Sequence, residues 1–192
     1  MRQRHDQIQT GINPKYYAIA CMIAIIGASN YLVQFPINDW LTWGAFPYPI
    51  SFLVTELTNR VYGPRIARQV VCAGFLCAGW LSLWFFPVII AVASVTAFLV
   101  AQFLDIFVFN RLRRMTWWYA PLFASLAASF VDTAIFWFIA FYGEDSLPVI
   151  TWAMGDFGVK VVLDVIMLTP FRFLINKSMK PIAEIYKSPA FL

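Results

Sequence analysis

Long apolar stretches, interrupted by prolines and short polar segments, dominate the pattern of this sequence. A helix needs about 20 residues to cross the roughly 30 Å hydrocarbon core of a bilayer, and six stretches approach that length. They cover residues 16–34, 46–61, 66–86, 88–109, 117–142 and 149–175. The pattern therefore predicts an all-α integral membrane protein, with six transmembrane helices forming a single domain over residues 1–192.

The second stretch differs from the others in length and in its first residues. Residues 46–61 would span only about 24 Å as a helix at roughly 1.5 Å per residue. They begin with Phe46-Pro47-Tyr48-Pro49, where two prolines disfavour regular helix. We therefore expect a short or broken helix 2 whose start lines a cavity, as irregular segments of transporters do.

The composition agrees with a membrane protein and excludes a soluble globular one. Hydrophobic residues make up 61% of the chain and charged residues 12%, against roughly 45–50% and 25% in soluble domains. A surface with so few charges could not remain hydrated. Most side chains must therefore contact lipid or one another.

The basic residues predict the orientation in the membrane. The formal net charge is +4, and 13 of the 14 lysines and arginines flank alternate connections between the apolar stretches. The positive-inside rule makes that side cytoplasmic, so both termini are predicted to be cytoplasmic. Because these residues form short clusters rather than one continuous basic face, no nucleic-acid partner is expected.

Residues suited to catalysis or metal binding are scarce in this sequence. The lone His5 precedes the first apolar stretch, and no H-E-x-x-H, G-x-S-x-G or Walker motif occurs. Cys21, Cys72 and Cys77 lie within apolar stretches without metal-ligand spacing, so we expect them to be small buried side chains. The sequence predicts no enzyme activity, no use of ATP by this chain, and no cofactor or metal site.

Ionisable side chains inside the apolar stretches are the main candidates for function. They are Glu56, Asp105, Asp132, Asp156, Lys160 and Asp164. Each costs at least about 2.5–3.5 kcal/mol at the centre of a membrane helix, so they are expected to face a polar interior. Counting residues from the outer ends of their helices places Glu56, Asp132 and Lys160 at similar depth, about 15 Å in. An excess of carboxylates over ammonium suggests that some acids are protonated or lie in a water-filled vestibule.

Several of these residues have a structural interpretation beside the functional one. Asp156, Lys160 and Asp164 repeat every four residues and could simply neutralise one another along one helix. Asp105 lies near the cytoplasmic edge, where it could pair with the arginines of that side. Asn30 and Gln34, four residues apart, could reach the same cavity or cap their helix. The row Ala20, Ala24 and Ala28 could pack within the bundle or dock a second subunit.

The residue types around the predicted midpoint limit the solute. Carboxylates accept N–H donors and a lysine or amide donates to a carbonyl. The aromatic faces are supplied by Phe46, Tyr48, Phe52, Phe136 and Trp137, and base–aromatic stacking is worth about 1–3 kcal/mol. A planar solute with adjacent donors and an acceptor would fit. These residue types do not exclude a sugar or an amino acid as the solute.

Several segments together resemble one known family of transporters. They are Ser29-Asn30-Tyr31-Leu32-Val33-Gln34, Thr42-Trp43-Gly44-Ala45-Phe46, Phe52-Leu53-Val54-Thr55-Glu56-Leu57-Thr58, Arg60-Val61-Tyr62-Gly63, the run from Gln102 through Asp105 to Val108-Phe109-Asn110-Arg111-Leu112-Arg113, Asp132-Thr133, Ile139-Ala140-Phe141, and Asp156 with Lys160-Val161. This set is similar to the queuosine-precursor transporter family, also called vitamin-uptake-transporter-like, over nearly all six stretches. Glu56 departs from the resemblance, which leads us to expect aspartate there.

The resemblance implies uptake of 7-cyano-7-deazaguanine and 7-aminomethyl-7-deazaguanine across the bacterial inner membrane for queuosine synthesis in tRNA. It implies binding residues at or near Asn30, Gln34, Glu56, Gln102, Asp105, Asn110, Asp132, Asp156 and Lys160, and Phe46 joins them as an aromatic face. Among these, Asp132 or Glu56 is expected to accept N–H groups of the solute, while Lys160 or an amide donates to its carbonyl.

Two other functions stay open beside a self-sufficient carrier. One is a substrate-binding subunit of the energy-coupling-factor type for a vitamin-like solute, since those subunits are also six-helix proteins. A non-transporting assembly factor is a further alternative. The expected partners are the solute and membrane lipids; a homodimer stays open, and an ATPase partner is not expected.

Overall fold

The computed structural model of the protein describes residues 14–32, 34–35, 37, 41, 43–143 and 149–187, with side chains described between residues 15 and 176. These residues form six α-helices and one 3-10 turn. The helices are α1 Pro14–Leu32, α2 Tyr48–Tyr62, α3 Pro64–Phe85, α4 Val88–Leu112, α5 Tyr119–Ala140 and α6 Val149–Lys187, and the 3-10 turn is Trp43–Ala45. The all-helical prediction is confirmed. His5 and the basic residues before α1 lie outside the described residues.

Glycine and proline set the tight turns around α3. Gly63, between α2 and α3, has a φ of 84°, in the left-handed region that glycine adopts at little cost. Pro64 then begins α3, where its missing N–H is tolerated. Phe86 is extended, with φ −130° and ψ 155°, as residues before a proline usually are. These short connections make α2, α3 and α4 successive antiparallel neighbours.

Apolar surface faces outward along much of the molecule. Helices α3, α4 and α5 are long and apolar enough to cross a membrane. On α3, Leu76, Trp80 and Trp84 are all more than two-thirds exposed. Since these residues recur every four positions, they form one outward stripe, as expected for a helix that contacts lipid.

Helix α2 is the shortest of the six, and it contacts all five other helices. Most of its surface is buried, including Phe52 at 1% exposure and Thr55 at 0%. The 3-10 turn and Pro47 precede it. The irregular start expected from the proline-rich sequence is therefore present, immediately before a regular central helix.

The rows of alanines on α4 and α5 are buried in the bundle, whereas the row on α1 is exposed. Ala97 and Ala101 of α4 and Ala120, Ala124 and Ala128 of α5 are all buried to 2% exposure or less, and α4 and α5 form the most extensive helix pair. Small side chains allow such close approach. By contrast, Ala20, Ala24 and Ala28 of α1 are exposed. The bundle-packing interpretation of this α1 row is therefore wrong within the chain.

Helix α1 instead packs through Met22 and Ile26, which are buried against α3. A Cβ added at Gly74 of α3 would lie 2.7 Å from Met22 Cγ, so glycine allows this approach. The expectation of buried cysteines was wrong for Cys21 and Cys72, which are exposed. On a helix that contacts lipid, a small apolar side chain has no need of burial.

The arginines gather at one end of the bundle, here called the basic end and defined by Arg60, Arg113 and Arg172. The Arg60 guanidinium donates to the Arg113 carbonyl at 2.6 Å, and Arg113 donates to the Arg60 carbonyl at 3.3 Å. Arg172 of α6 lies over the ring of Trp117, just before α5, at 4.8 Å. The predicted basic side of the chain thus corresponds to one end of the fold.

Candidate functional site

A cavity of about 480 Å³ opens at the end of the bundle opposite the basic end. All six helices and the 3-10 turn contribute to its wall. Residues near its mouth come from the last turns of α1, α3 and α5 and the first turns of α4 and α6. Its volume falls within the roughly 300–1,000 Å³ typical of small-molecule sites.

An ion-pair network centred on Lys160 forms the polar wall of the cavity. Lys160 Nζ lies 2.8 Å from Asp132 Oδ2 and 2.6 Å from Asp156 Oδ2, and it donates to Thr133 Oγ1 at 3.0 Å. The Thr133 hydroxyl donates to Asp156 Oδ2 at 2.8 Å, and the Tyr48 hydroxyl donates to Asp132 Oδ1 at 2.6 Å. Helices α2, α5 and α6 are thus joined at one point.

The network determines which polar atoms are left for a solute. An ammonium has three N–H donors, and Lys160 donates all three to protein oxygens. Both Asp132 oxygens also receive hydrogen bonds. Asp156 Oδ1, in contrast, receives none from the described residues, and the Asp156 side chain is 20% exposed. Asp156 is therefore the carboxylate with an acceptor directed to the cavity.

Aromatic rings line the cavity one helical turn nearer its mouth, on the same helices α5 and α6; they are called here the aromatic wall. Trp137 stacks on Phe141 with ring centroids 5.1 Å apart and an interplanar angle of 20°, and it contacts Trp152 and Phe136. The Trp137 indole Nε1–H is buried and has no acceptor among the described residues. Since a buried indole N–H usually finds a partner, this donor is suited to a solute oxygen or nitrogen.

Asn30 lines the cavity and is also bonded within the bundle. Its side-chain amide donates to the Ile26 carbonyl at 3.0 Å and accepts from Ser82 at 3.2 Å. The neighbouring Ser29 donates to the Gly44 carbonyl at 2.8 Å, which ties α1 to the 3-10 turn. Asn30 therefore both stabilises the rim and presents a polar surface to the cavity.

The structure divides nine of the predicted site residues into three groups; the tenth, Asn110, is exposed on α4 outside the cavity, where it accepts a hydrogen bond from Arg113 at 3.3 Å. Asn30, Asp132, Asp156 and Lys160 line the cavity. Gln34 is exposed and lies outside it, because α1 ends at Leu32 and the four-residue spacing from Asn30 is no longer helical. Phe46 is 39% exposed and contacts Trp43 instead of the cavity.

The third group, Glu56, Gln102 and Asp105, lies deeper in the bundle and does not line the cavity. Gln102 of α4 donates to Ser51 at 2.8 Å and accepts from Thr55 at 2.7 Å, so it bonds α4 to α2. Of the two interpretations of Asp105, pairing with arginines is wrong, since both Asp105 oxygens lack a donor among the described residues. Arg60 and Arg113 bond to each other's backbone carbonyls instead.

Sequence reasoning missed several roles that depend on the fold. Tyr48 was expected only as an aromatic face, but its hydroxyl bonds to Asp132. Thr133 and Trp152 were not singled out as parts of a site, yet one bridges Lys160 to Asp156 and the other lines the aromatic wall. A threonine beside Asp132 and a tryptophan one turn before Asp156 were the available signals.

Comparison with known proteins gives one family and two close relatives. The sequence profile of the putative vitamin uptake transporter family matches residues 42–89 and 83–175. A queuosine precursor transporter of Escherichia coli K12 is 34% identical in an alignment 191 positions long that covers 84% of this chain and 86% of that protein. A probable queuosine precursor transporter of Haemophilus influenzae is 35% identical in an alignment 188 positions long that covers 77% of this chain and 80% of that protein. No solved structure matches the chain.

Proposed function

Because this chain belongs to the putative vitamin uptake transporter family, we propose that it carries queuosine precursors into the cell. The proposed solutes are 7-cyano-7-deazaguanine and 7-aminomethyl-7-deazaguanine, and the site is the cavity lined by the Lys160 network and Trp137. The observation that carries the proposal is that an Asp156 oxygen and the Trp137 N–H, both in the lining, have no partner among the described residues. The protein acts as a carrier, with no catalytic step.

The hydrogen-bonding groups and the flat ring of a 7-deazaguanine match the polar network and the aromatic wall of the cavity. Its N1–H and exocyclic amine form two adjacent donors, which a carboxylate accepts. Asp156 Oδ1 is the acceptor we assign to them, in place of Asp132 or Glu56. The carbonyl of the heterocycle then accepts from Trp137 Nε1–H, because the Lys160 donors are occupied by protein oxygens. Stacking on the aromatic wall adds about 1–3 kcal/mol.

The arrangement of the bundle fits the outward-open state of a carrier. We propose that all six helices of the single domain cross the bacterial inner membrane, with both termini and the basic end in the cytoplasm. The cavity then opens to the periplasm. At the basic end Phe109 and Phe171 are buried with ring centroids 6.1 Å apart, so the path to the cytoplasm is closed below the site. Alternating access requires this contact to separate.

The direct test is uptake in cells that cannot make the precursors. Wild-type protein should restore queuosine to tRNA when nanomolar precursor is supplied. Asp156→Asn should lower uptake at limiting solute about tenfold or more, since a hydrogen bond to a charged group is worth about 1.5–3 kcal/mol. Gln34→Ala, outside the cavity, is the matched control. Equal uptake by Asp156→Asn and wild type would remove Asp156 from the site.

A second candidate is the substrate-binding subunit of an energy-coupling-factor-type importer. The exposed row Ala20, Ala24 and Ala28 favours it, because small residues on an outward helix face allow close docking of another membrane subunit. The same row would also fit a homodimer. Transport by the purified chain alone in liposomes supports the carrier, and transport only with an added ATPase supports the binding subunit.

A further inference from the structure

Two buried carboxyl groups lie below the cavity and take no part in the solute site described above. Glu56 of α2 is 3% exposed and Asp105 of α4 is 0% exposed; they are called here the lower carboxyl pair. Glu56 lies eight residues beyond Tyr48 of the cavity wall, or about 12 Å along α2. The pair is therefore separate from the solute site and nearer the basic end.

The surroundings of the lower carboxyl pair offer acceptors without donors. Glu56 Oε1 and both Asp105 oxygens are buried and receive no hydrogen bond from the described residues. Hydrogen bonds from Thr55 to Gln102 and from Asn59 to the Ile106 carbonyl hold α2 to α4 around the pair, so both carboxyl groups lie in this buried interface. Because a carboxylate only accepts hydrogen bonds, the two can satisfy each other only when one of them carries a proton.

An amide beside the pair shows the same lack of a donor. Asn59 is 0% exposed and lies one helical turn after Glu56. Its Nδ2 donates to the carbonyl of Ile106, the residue after Asp105, at 3.3 Å. Its Oδ1 is buried and has no donor among the described residues. Glu56, Asp105 and Asn59 thus bring buried acceptors to one place in the α2–α4 interface, although buried polar atoms are usually partnered.

Asp164 of α6 is a third buried carboxyl group, placed between the solute site and the basic end. It accepts a hydrogen bond from Ser129 at 2.8 Å, is 3% exposed, and lies one helical turn beyond Lys160 on a helix that packs against α2. In a low-dielectric interior, a change of charge in the cavity would reach the pair through this carboxyl group.

We propose that Glu56 and Asp105 together bind a single proton, which is transported inward with the solute. One carboxyl oxygen holds the proton covalently and the other carboxyl accepts its hydrogen bond. The proton comes from water on the cavity side and leaves to water at the basic end, so no other bond forms or breaks. This inference rests on the proposed transport of a 7-deazaguanine and names the ion that drives it.

The groups that face the pair limit the alternatives. The charged side chain beside the pair is Asp164 of α6, and Lys160 and Asp132 act on Asp164 and not on the pair. The buried surface of α3 beside Ile106 is apolar, formed by Ala67, Val70 and Val71. Since the described residues bring no ammonium or guanidinium to the pair, a proton is the cation that relieves the repulsion between the two carboxyl groups.

The test separates solute exchange from gradient-driven accumulation in liposomes containing the purified full-length protein. Exchange of labelled 7-cyano-7-deazaguanine at equal pH needs the cavity but no net proton movement. A gradient of one pH unit, acid outside and with the membrane potential clamped, should drive wild-type accumulation of this neutral solute to about tenfold, the limit for one proton per molecule. Glu56→Gln and Asp105→Asn should exchange solute but lose accumulation, while Glu56→Asp, which keeps a carboxyl group, should retain it.

Three results would overturn the proton site. Accumulation by Glu56→Gln equal to that of wild type would do so, as would wild-type exchange with no response to the pH gradient. Accumulation driven by a sodium gradient at equal pH would assign the pair to sodium instead.

A measurement without solute keeps this inference distinct from the proposed function. The infrared carbonyl band of a protonated carboxyl group should be present in the wild type at neutral pH and reduced in Glu56→Gln and in Asp105→Asn. If that band behaves as expected but no 7-deazaguanine exchanges, the solute assignment fails and the proton site stands. If solute exchanges but the band is unchanged in both variants, the proton site fails alone.

Discussion

At the scale of single residues, Lys160 is placed to orient carboxylates instead of contacting solute directly. Its three donors bond to Asp132, Thr133 and Asp156, and its ammonium lies 5.6 Å from the Tyr48 ring. The ammonium fixes one oxygen of Asp156 and leaves the other toward the cavity. We therefore predict that Lys160, which the sequence suggests as a solute donor, positions the Asp156 acceptor instead.

A substitution at Trp137 can test the contribution of its indole N–H separately from that of its ring surface. Trp137→Phe keeps an aromatic ring against Phe141 but removes the indole N–H. A neutral hydrogen bond contributes about 0.5–1.5 kcal/mol, so we expect the Kd for 7-cyano-7-deazaguanine to rise about two- to tenfold. Equilibrium binding to purified protein measures it. Trp152→Phe, also in the aromatic wall, is the control, and an unchanged Kd in Trp137→Phe would exclude its N–H as a solute donor.

At the scale of elements, the Lys160 network holds α5 against α6. Removing the ammonium in Lys160→Met leaves Asp132 and Asp156 without their shared partner, and breaking a buried ion pair in this way costs about 3–5 kcal/mol. The double variant Lys160→Met/Asp132→Asn removes one of the two charges and should regain part of that loss. Thermal unfolding in detergent measures both. Equal melting temperatures for the single variant and wild type would show that the network contributes little to stability.

The α1–α3 contact offers a matched pair of glycines on one helix. Gly74→Ala places a Cβ 2.7 Å from Met22 Cγ, whereas a Cβ at Gly79 has its nearest neighbour, a Val95 methyl, at 3.9 Å. We expect Gly74→Ala to destabilise the protein by about 1–3 kcal/mol through overpacking. Gly79→Ala should be neutral or stabilising, since alanine favours helix. A melting temperature for Gly74→Ala at or above that of Gly79→Ala would contradict the close approach of Met22.

At the scale of the whole molecule, hydropathy and prolines predict the positions of the helices well, because both act locally along the chain. Depth along a helix is also predictable from the rise per residue, which is why Asp132 and Lys160 were expected to meet. The direction in which each side chain points around its helix cannot be predicted in this way. Glu56 was assigned the same depth as Lys160, yet it is buried between helices and does not line the cavity.

The residue at which α1 ends was also not predictable from the local pattern of apolar residues. The apolar stretch continues to residue 34, but α1 ends at Leu32, so Gln34 leaves the face that Asn30 occupies. Similarly, the role of Tyr48 depends on α2 lying at the centre of the bundle, which only the packing of all six helices determines.

An experimental structure with bound 7-cyano-7-deazaguanine tests the account most directly. We predict the heterocycle in the cavity of about 480 Å³, stacked against the Trp137 wall, with its N1–H and exocyclic amine within hydrogen-bond distance of Asp156 Oδ1. Solute bound elsewhere, for example between Glu56 and Asp105, would contradict it.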